Sequence, residues 1–392
     1  MKYNFDELID RTGTRSVKLD AIPAEYPKDT VSLWVADMDF AVAQPIQAAL
    51  HRRVDQGVFG YTMYNDPELK SAVTNWFARR YQWTVDPKDL FYCPGIVPAI
   101  AVLVNALTQP GDGILIQRPV YFPFTSQVEN NQRIIYDNPL KFENGQYEMD
   151  FLDLDAKLKD PQVKGMILCS PHNPVGRVWT PTELRNVVDI AKKHNKWIIS
   201  DEIHMDLTRC DVVHHPLVTL APDYQDEIIT CTAPTKTFNL AGLCISNIII
   251  TNPIYQAKWT QVVHDKYHMD MANLFGIEAT IAAYNEGEEW LDQVKTYIDG
   301  NFDFLKKYCQ ENLPKSVVVD SQGTYLGWID VRAYCNDAEK LTDLMILANV
   351  LFNNGASFGD QGIGFIRINL AAPRAVVGEG IRRITEVLIK EV

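Results

Sequence analysis

The apolar run Ile228-Ile229-Thr230-Cys231 is followed a few residues later by Thr235-Lys236-Thr237-Phe238-Asn239. The run reads as a buried strand, and the polar stretch then sits just past its carboxyl end. Two other segments repeat the arrangement. Met166–Cys169 leads into Ser170-Pro171-His172-Asn173-Pro174-Val175-Gly176, and Trp197–Ser200 leads into Asp201-Glu202-Ile203-His204. Near-continuous apolar runs imply strands covered on both faces, hence a largely parallel sheet. An open sheet of this kind gathers groups beyond its strand ends into one crevice, where ligands bind.

Outward from these segments, Leu90–Cys93, Ile114–Gln117 and Ile245–Ile250 read as further strands alternating with helix-like stretches. Ala99–Leu107 predicts a helix that stops before a Pro-Gly turn. Pro181–His194 predicts another, with Thr180 as N-cap and proline at the first helical position. Past about residue 285 the character changes. A charged helical stretch (Glu286 to Gln310) precedes a strand within Gly323–Asp330, a helix around Asp337–Asn353 and a strand at Phe365–Leu370. The expected class is α/β: a three-layer α/β/α large domain with a mostly parallel sheet over residues 46–285, and a smaller α+β domain over 286–392. The N-terminal segment, 1–45, is expected to join the smaller one. A chain of 392 residues suits a large domain with a companion.

Bulk properties exclude several function classes. A formal net charge of -13 argues against a nucleic-acid partner held through phosphates. No apolar run is long enough to span a bilayer, so no membrane role is expected. The start, Met1 to Glu7, lacks the pattern of a signal peptide. Seven cysteines are scattered without a CxxC pair, which suggests reduced thiols. Cytoplasm is the expected location.

Lys236, Asp201 and Asn173 together suit one chemistry, that of pyridoxal 5′-phosphate (PLP). A lysine holds the cofactor aldehyde as a Schiff base and later carries the Cα proton. A carboxylate keeps the pyridine nitrogen protonated, so that the ring accepts electrons. The Asn173 amide can donate to the ring's phenolate oxygen. Each residue alone has a plainer reading: a lysine is usually at the surface, and Asp201 could cap a helix. Three such residues, each just past an apolar strand, make the plain readings improbable. Gly95, Ile96 and Val97 join a strand to a helix, where free amides would cradle a phosphate. Tyr121 could stack on the ring, though an isolated aromatic more often packs. Arg367, among apolar strand residues, needs a charged partner: a substrate α-carboxylate, or else a structural salt bridge.

No metal site is expected. His264 and His268 stand one helical turn apart but lack an evident third ligand. His214-His215 reads as loop, and Asp201 of the His204 cluster is taken by the PLP reading.

Across these residues the chain resembles fold-type I PLP enzymes of the aminotransferase class I/II superfamily, and within it the MalY/PatB-type cystathionine β-lyases. The likeness covers Asn4-Phe5-Asp6 with Arg11, Leu33-Trp34-Val35-Ala36-Asp37-Met38-Asp39-Phe40, Phe59-Gly60-Tyr61-Thr62, Asp201-Glu202-Ile203-His204, 233–242, Gly323-Thr324-Tyr325-Leu326 and 364–369. The resemblance implies a homodimer in which Tyr61 reaches the cofactor phosphate of the neighbouring subunit. Thr235 would add a hydroxyl to that phosphate, Ile203 and His204 would border the cofactor, and Ala36 would lie against the substrate carboxylate. Two positions depart from the wider aminotransferase pattern: Cys244 stands where many have a phosphate-binding arginine, and His204 where they have tyrosine. Both suit the lyase branch. The implied reaction is cleavage of cystathionine or related S-substituted L-cysteines to a thiol, pyruvate and ammonia, with Lys236 as the base. An aminotransferase shares its early steps, and a PLP-binding regulatory protein is the alternative from another class.

Overall fold

Seven strands form the central sheet of the computed structural model, which describes residues 3–391. In chain order they are β1 (Leu90–Cys93), β2 (Gly113–Ile116), β3 (Ile134–Asp137), β4 (Val163–Cys169), β5 (Trp197–Asp201), β6 (Ile228–Thr232) and β7 (Ser246–Ile249). Their spatial order is β1-β7-β6-β5-β4-β2-β3. All neighbouring pairs are parallel except those of β7, which runs against both β1 and β6. The connection from β6 to β7 holds only the four-residue helix Pro234–Thr237 and a short turn at Ala241–Leu243. That is too little to cross a sheet face, so the chain turns back.

Side-chain alternation sorts the strand residues into two cores. Ile114, Ile116, Ile167, Ile199, Ile229 and Ile248 pack with Ile100 and Leu103 of helix Ile96–Leu107 and Phe124 of Phe122–Asn130. Leu115, Met166, Leu168, Ile198 and Ile228 face the other way, toward Trp76 of Pro67–Tyr81, Val187 of Pro181–Lys193 and Ala279 of Leu274–Glu286. The three-layer arrangement expected from the apolar runs is therefore present. Thr180 caps its helix through a reciprocal box with Glu183.

Toward the C-terminus, β8 (Val317–Val318), β9 (Leu326–Asp330), β10 (Asn353–Asn354) and β11 (Phe365–Asn369) form an antiparallel sheet in the order β8-β9-β11-β10. Val31–Ser32 pairs in parallel with Val350–Leu351, bringing the N-terminal stretch alongside. Two elements differ from the sequence expectation. β3 is a half-exposed edge strand whose apolar run, Ile134-Ile135-Tyr136, is too short to stand out. The helix expected to reach Asn353 stops at Leu347, where Asn349 takes a positive φ of 54° and the chain turns into short strands.

The loop after β4 is braced against the segment before β9. Gly176 has φ +73°, and its carbonyl accepts from the Gln322 and Gly323 amides at 2.8 and 2.9 Å. A Cβ there would lie 2.2 Å from Ser321 Oγ. Gly176→Ala is therefore expected to destabilise the protein by about 1–3 kcal/mol. The check is the urea midpoint, which should fall at an unchanged slope.

Candidate active site

Asp201 ends β5 beside Cys169 of β4 and Cys231 of β6. The chain leaves β6 at Thr232 and turns at once into the helix that carries Lys236. Asn173 follows β4, and its carbonyl accepts from the Tyr121 amide at 3.0 Å, joining the loops after β2 and β4. Gly95 is the N-cap of helix Ile96–Leu107, without a side-chain cap. The Ile96 and Val97 amides thus lack intrahelical acceptors. Together with Ala36, Ile203, His204 and Thr235, these residues enclose a cavity of about 240 Å³.

Two expected residues lie outside its wall. Arg367 stands behind Asn173, donating from Nη1 to Oδ1 at 3.0 Å. Tyr61 is 94% exposed and lines a separate groove of about 790 Å³ with Met63 and Met271.

Burial sets the electrostatics. It pushes the Asp201 carboxyl up to about 7, against the lowering effect of the Ile203 amide 3.1 Å from Oδ1. Among the described residues that amide is the only hydrogen-bond donor to the Asp201 side chain. Burial, reinforced by the Arg367 charge, brings the Lys236 amine down to about 8. Burial also holds His204 at about 3, so its ring is neutral, with Nδ1 unpartnered. Arg367 is buried, and among the described residues it meets no carboxylate: its donors reach Asn173 Oδ1, the Trp34 carbonyl (2.9 Å) and Asn353 Oδ1 (2.6 Å), while Nε has no partner there. The salt-bridge reading of Arg367 is thereby corrected. Its strand partners across the ladder are Trp328 and Asn353, which offer no acid.

These features fit PLP and an amino acid. A buried carboxyl with one donor can take a ring N–H, free helix-terminal amides can take a phosphate, and an unmatched guanidinium can take a carboxylate. Among the described residues no group of three or more His, Cys, Asp or Glu could hold a metal ion.

The family model for aminotransferase class I and II matches residues 28–384. The chain belongs to this family. It is 40% identical over 387 residues to cystathionine beta-lyase PatB of Bacillus subtilis, covering 98% of this chain and 100% of that one. Protein MalY of Escherichia coli is 30% identical, with 97% of each chain covered. The crystal structure of cystalysin from Treponema denticola, which contains pyridoxal 5′-phosphate, superposes with a TM-score of 0.96 at 37% identity, covering 100% of both chains.

Sequence reasoning gave no site role to Tyr325, Asn239 or Asn369. The Tyr325 hydroxyl donates to the Ala36 carbonyl at 2.8 Å, as does Lys236 Nζ at 2.6 Å. All three lie inside the quoted motifs, so the signal was present, but what they bind is remote in sequence.

The raised Asp201 carboxyl has a consequence for stability. The folded protein keeps a proton that the unfolded chain releases above pH ~4, so stability is lost as pH rises from about 4 toward 7. In protein stripped of small molecules, Asp201→Asn should therefore melt above wild type at pH 8. The gap should shrink to nothing as pH falls to about 4, as followed by thermal denaturation.

Proposed function

We propose that this protein is a PLP-dependent carbon–sulfur β-lyase that cleaves cystathionine or related S-substituted L-cysteines to a thiol, pyruvate and ammonia. One observation carries the reading. A buried amine and a buried carboxyl line one cavity, with an unmatched guanidinium behind Asn173 of its wall, in a chain that is similar over its full length to a cystathionine β-lyase. PLP, when bound, supplies an electron sink for charge developing at the substrate Cα.

The chain's own residues divide the remaining work. Lys236 holds the cofactor and moves the Cα proton; an amine near 8 keeps an unprotonated fraction at neutral pH. Asp201 holds the pyridine N–H. The Arg367 bond to Asn173 Oδ1 fixes that amide, leaving its NH₂ to donate to the ring oxygen. The Ile96 and Val97 amides, Gly95 and the Thr235 hydroxyl hold the phosphate, and Tyr121 covers the ring. The Ile203 amide is committed to Asp201. Neutral His204 adds no charge that would compete with either cation. Arg367 and Ala36 hold the substrate carboxylate. Loss of the Cα proton and of the thiolate from Cβ, followed by hydrolysis, accounts for all three products.

The site is completed by a second copy of the chain. Tyr61 and its neighbours Val58, Phe59 and Met63 are all exposed in the single chain. Burying that apolar strip in a homodimer would carry the Tyr61 hydroxyl to the partner's phosphate. The free cysteines suit the cytoplasm, and among the described residues no helix is long and apolar enough to cross a membrane.

Incubation with L-cystathionine and no keto acid should give sustained pyruvate and thiol release. A single half-reaction that stalls with the amino group on the cofactor would instead identify an aminotransferase. Lys236→Ala should abolish turnover and the yellow absorbance. Arg367→Lys, which loses the planar fork, should lower kcat/KM about 10–100-fold, mostly through KM.

A further inference from the structure

Residues 34–40 run past the cavity with few backbone partners of their own, yet the carbonyls of Trp34 to Met38 and of Phe40 accept hydrogen bonds from side chains. Each of these six has a donor from the segments that carry Lys236 and Arg367. Asn239, just past Lys236, uses its amide as a strand edge. Oδ1 accepts from the Met38 amide at 2.9 Å, and Nδ2 donates to the Met38 and Phe40 carbonyls at 3.0 Å each. Its φ of +58° is one that asparagine tolerates better than most residues. Asn369, on the strand of Arg367, donates from Nδ2 to the Val35 and Asp37 carbonyls at 2.7 and 2.6 Å. Ala36 lies between the two Asn369 contacts, and the Asn239 contacts follow on its C-terminal side.

The other anchors of this segment are electrostatic. Arg11 meets both carboxylate oxygens of Asp37 (3.1 and 2.5 Å) and one of Asp39 (2.6 Å). Fully buried Lys18 donates to the other Asp39 oxygen at 2.6 Å. These bonds hold the side chains of the segment. Other side chains meet single peptide groups: Tyr325 and Lys236 the Ala36 carbonyl, Arg367 that of Trp34, Lys18 that of Asp37 and Arg11 that of Met38. Asn369 and Asn239 each hold two residues of the segment at once, Asn369 those on either side of Ala36 and Asn239 the next two in alternation.

We propose that Asn239 and Asn369 are positioning residues for the substrate, each registering the 34–40 segment against one wall of the site. Ala36 then stands at a set distance from both Lys236 and Arg367, and the α-carboxylate is recognised by two walls moving as one body. This rests on the reading of Ala36 as a carboxylate contact.

The test separates the amide from the backbone conformation. Asn239→Gly keeps the positive φ accessible and removes the amide; Asn369→Ser provides the second wall. In Asn239→Gly the yellow PLP absorbance should persist. KM for L-cystathionine should rise about tenfold, the scale of one or two hydrogen bonds, with kcat within about twofold. The dissociation constant for glycine, read from the absorbance change and requiring no β-elimination, should rise by the same factor. Amide hydrogen exchange in a peptide spanning 33–41 should quicken in both variants. Wild-type glycine affinity and exchange in both variants would overturn the proposal, as would a loss confined to kcat. If no variant or wild type cleaves cystathionine, the lyase reading fails, while glycine affinity and exchange still decide the positioning role.

Discussion

A guanidinium buried without a carboxylate is expensive, and Arg367 is held in that state by neutral oxygens alone. Asp201 and Lys236 line the cavity whose wall Arg367 backs at Asn173, and burial pushes each toward its uncharged form. Among the described residues none of the three makes a salt bridge. A ligand that presents a carboxylate, an amine and a ring nitrogen would satisfy all of them together. The cost is sustained by the sheet: strands β4 to β7 are buried almost throughout, between two apolar cores. Strand ends fixed that rigidly can hold mismatched charges a few ångströms apart without collapsing onto one another.

The substitutions at His204 and Cys244 fit this electrostatic picture. A phenol at 204 could ionise to an anion near the cations; the buried imidazole stays neutral, and its ring meets Tyr325 edge-on at 5.9 Å. Cys244 is exposed and outside the cavity wall, so the chain brings no cation there to a phosphate. Anion binding then rests on peptide amides and hydroxyls, which are fixed dipoles rather than mobile charges.

The parts of the fold legible from sequence were those that depend on local pattern. Fully buried parallel strands write themselves as apolar runs, and Lys236, Asp201 and Asn173 are readable because each follows one. β3 was not legible, since its apolar run, Ile134-Ile135-Tyr136, ends after three residues. Nor were Asn239 and Tyr325, whose acceptors lie 201 and 289 positions away. A hydrogen bond to a distant peptide carbonyl leaves no periodicity in the sequence around the donor. The placement of Arg367 was half legible: its burial followed from its strand, but the absence of an acid beside it needed the register with Trp328 and Asn353.

The reversal of direction at β7 bears on how such a chain can change length. Most loops at the carboxyl edge of the sheet could take an extra residue by bulging outward. The stretch from β6 to Leu240 has no such freedom, because Ala233 to Leu240 is buried except where Lys236 and Asn239 are partly so. One residue inserted between Thr232 and Lys236 would move the amine from its place with Asp201 in the cavity wall. Beyond it Ala241, Gly242 and Cys244 are exposed and can absorb a change before β7 begins. β7 itself cannot slide by one position without exchanging Ile248 and Ile249 between the two cores. The interval before the lysine therefore behaves as a ruler.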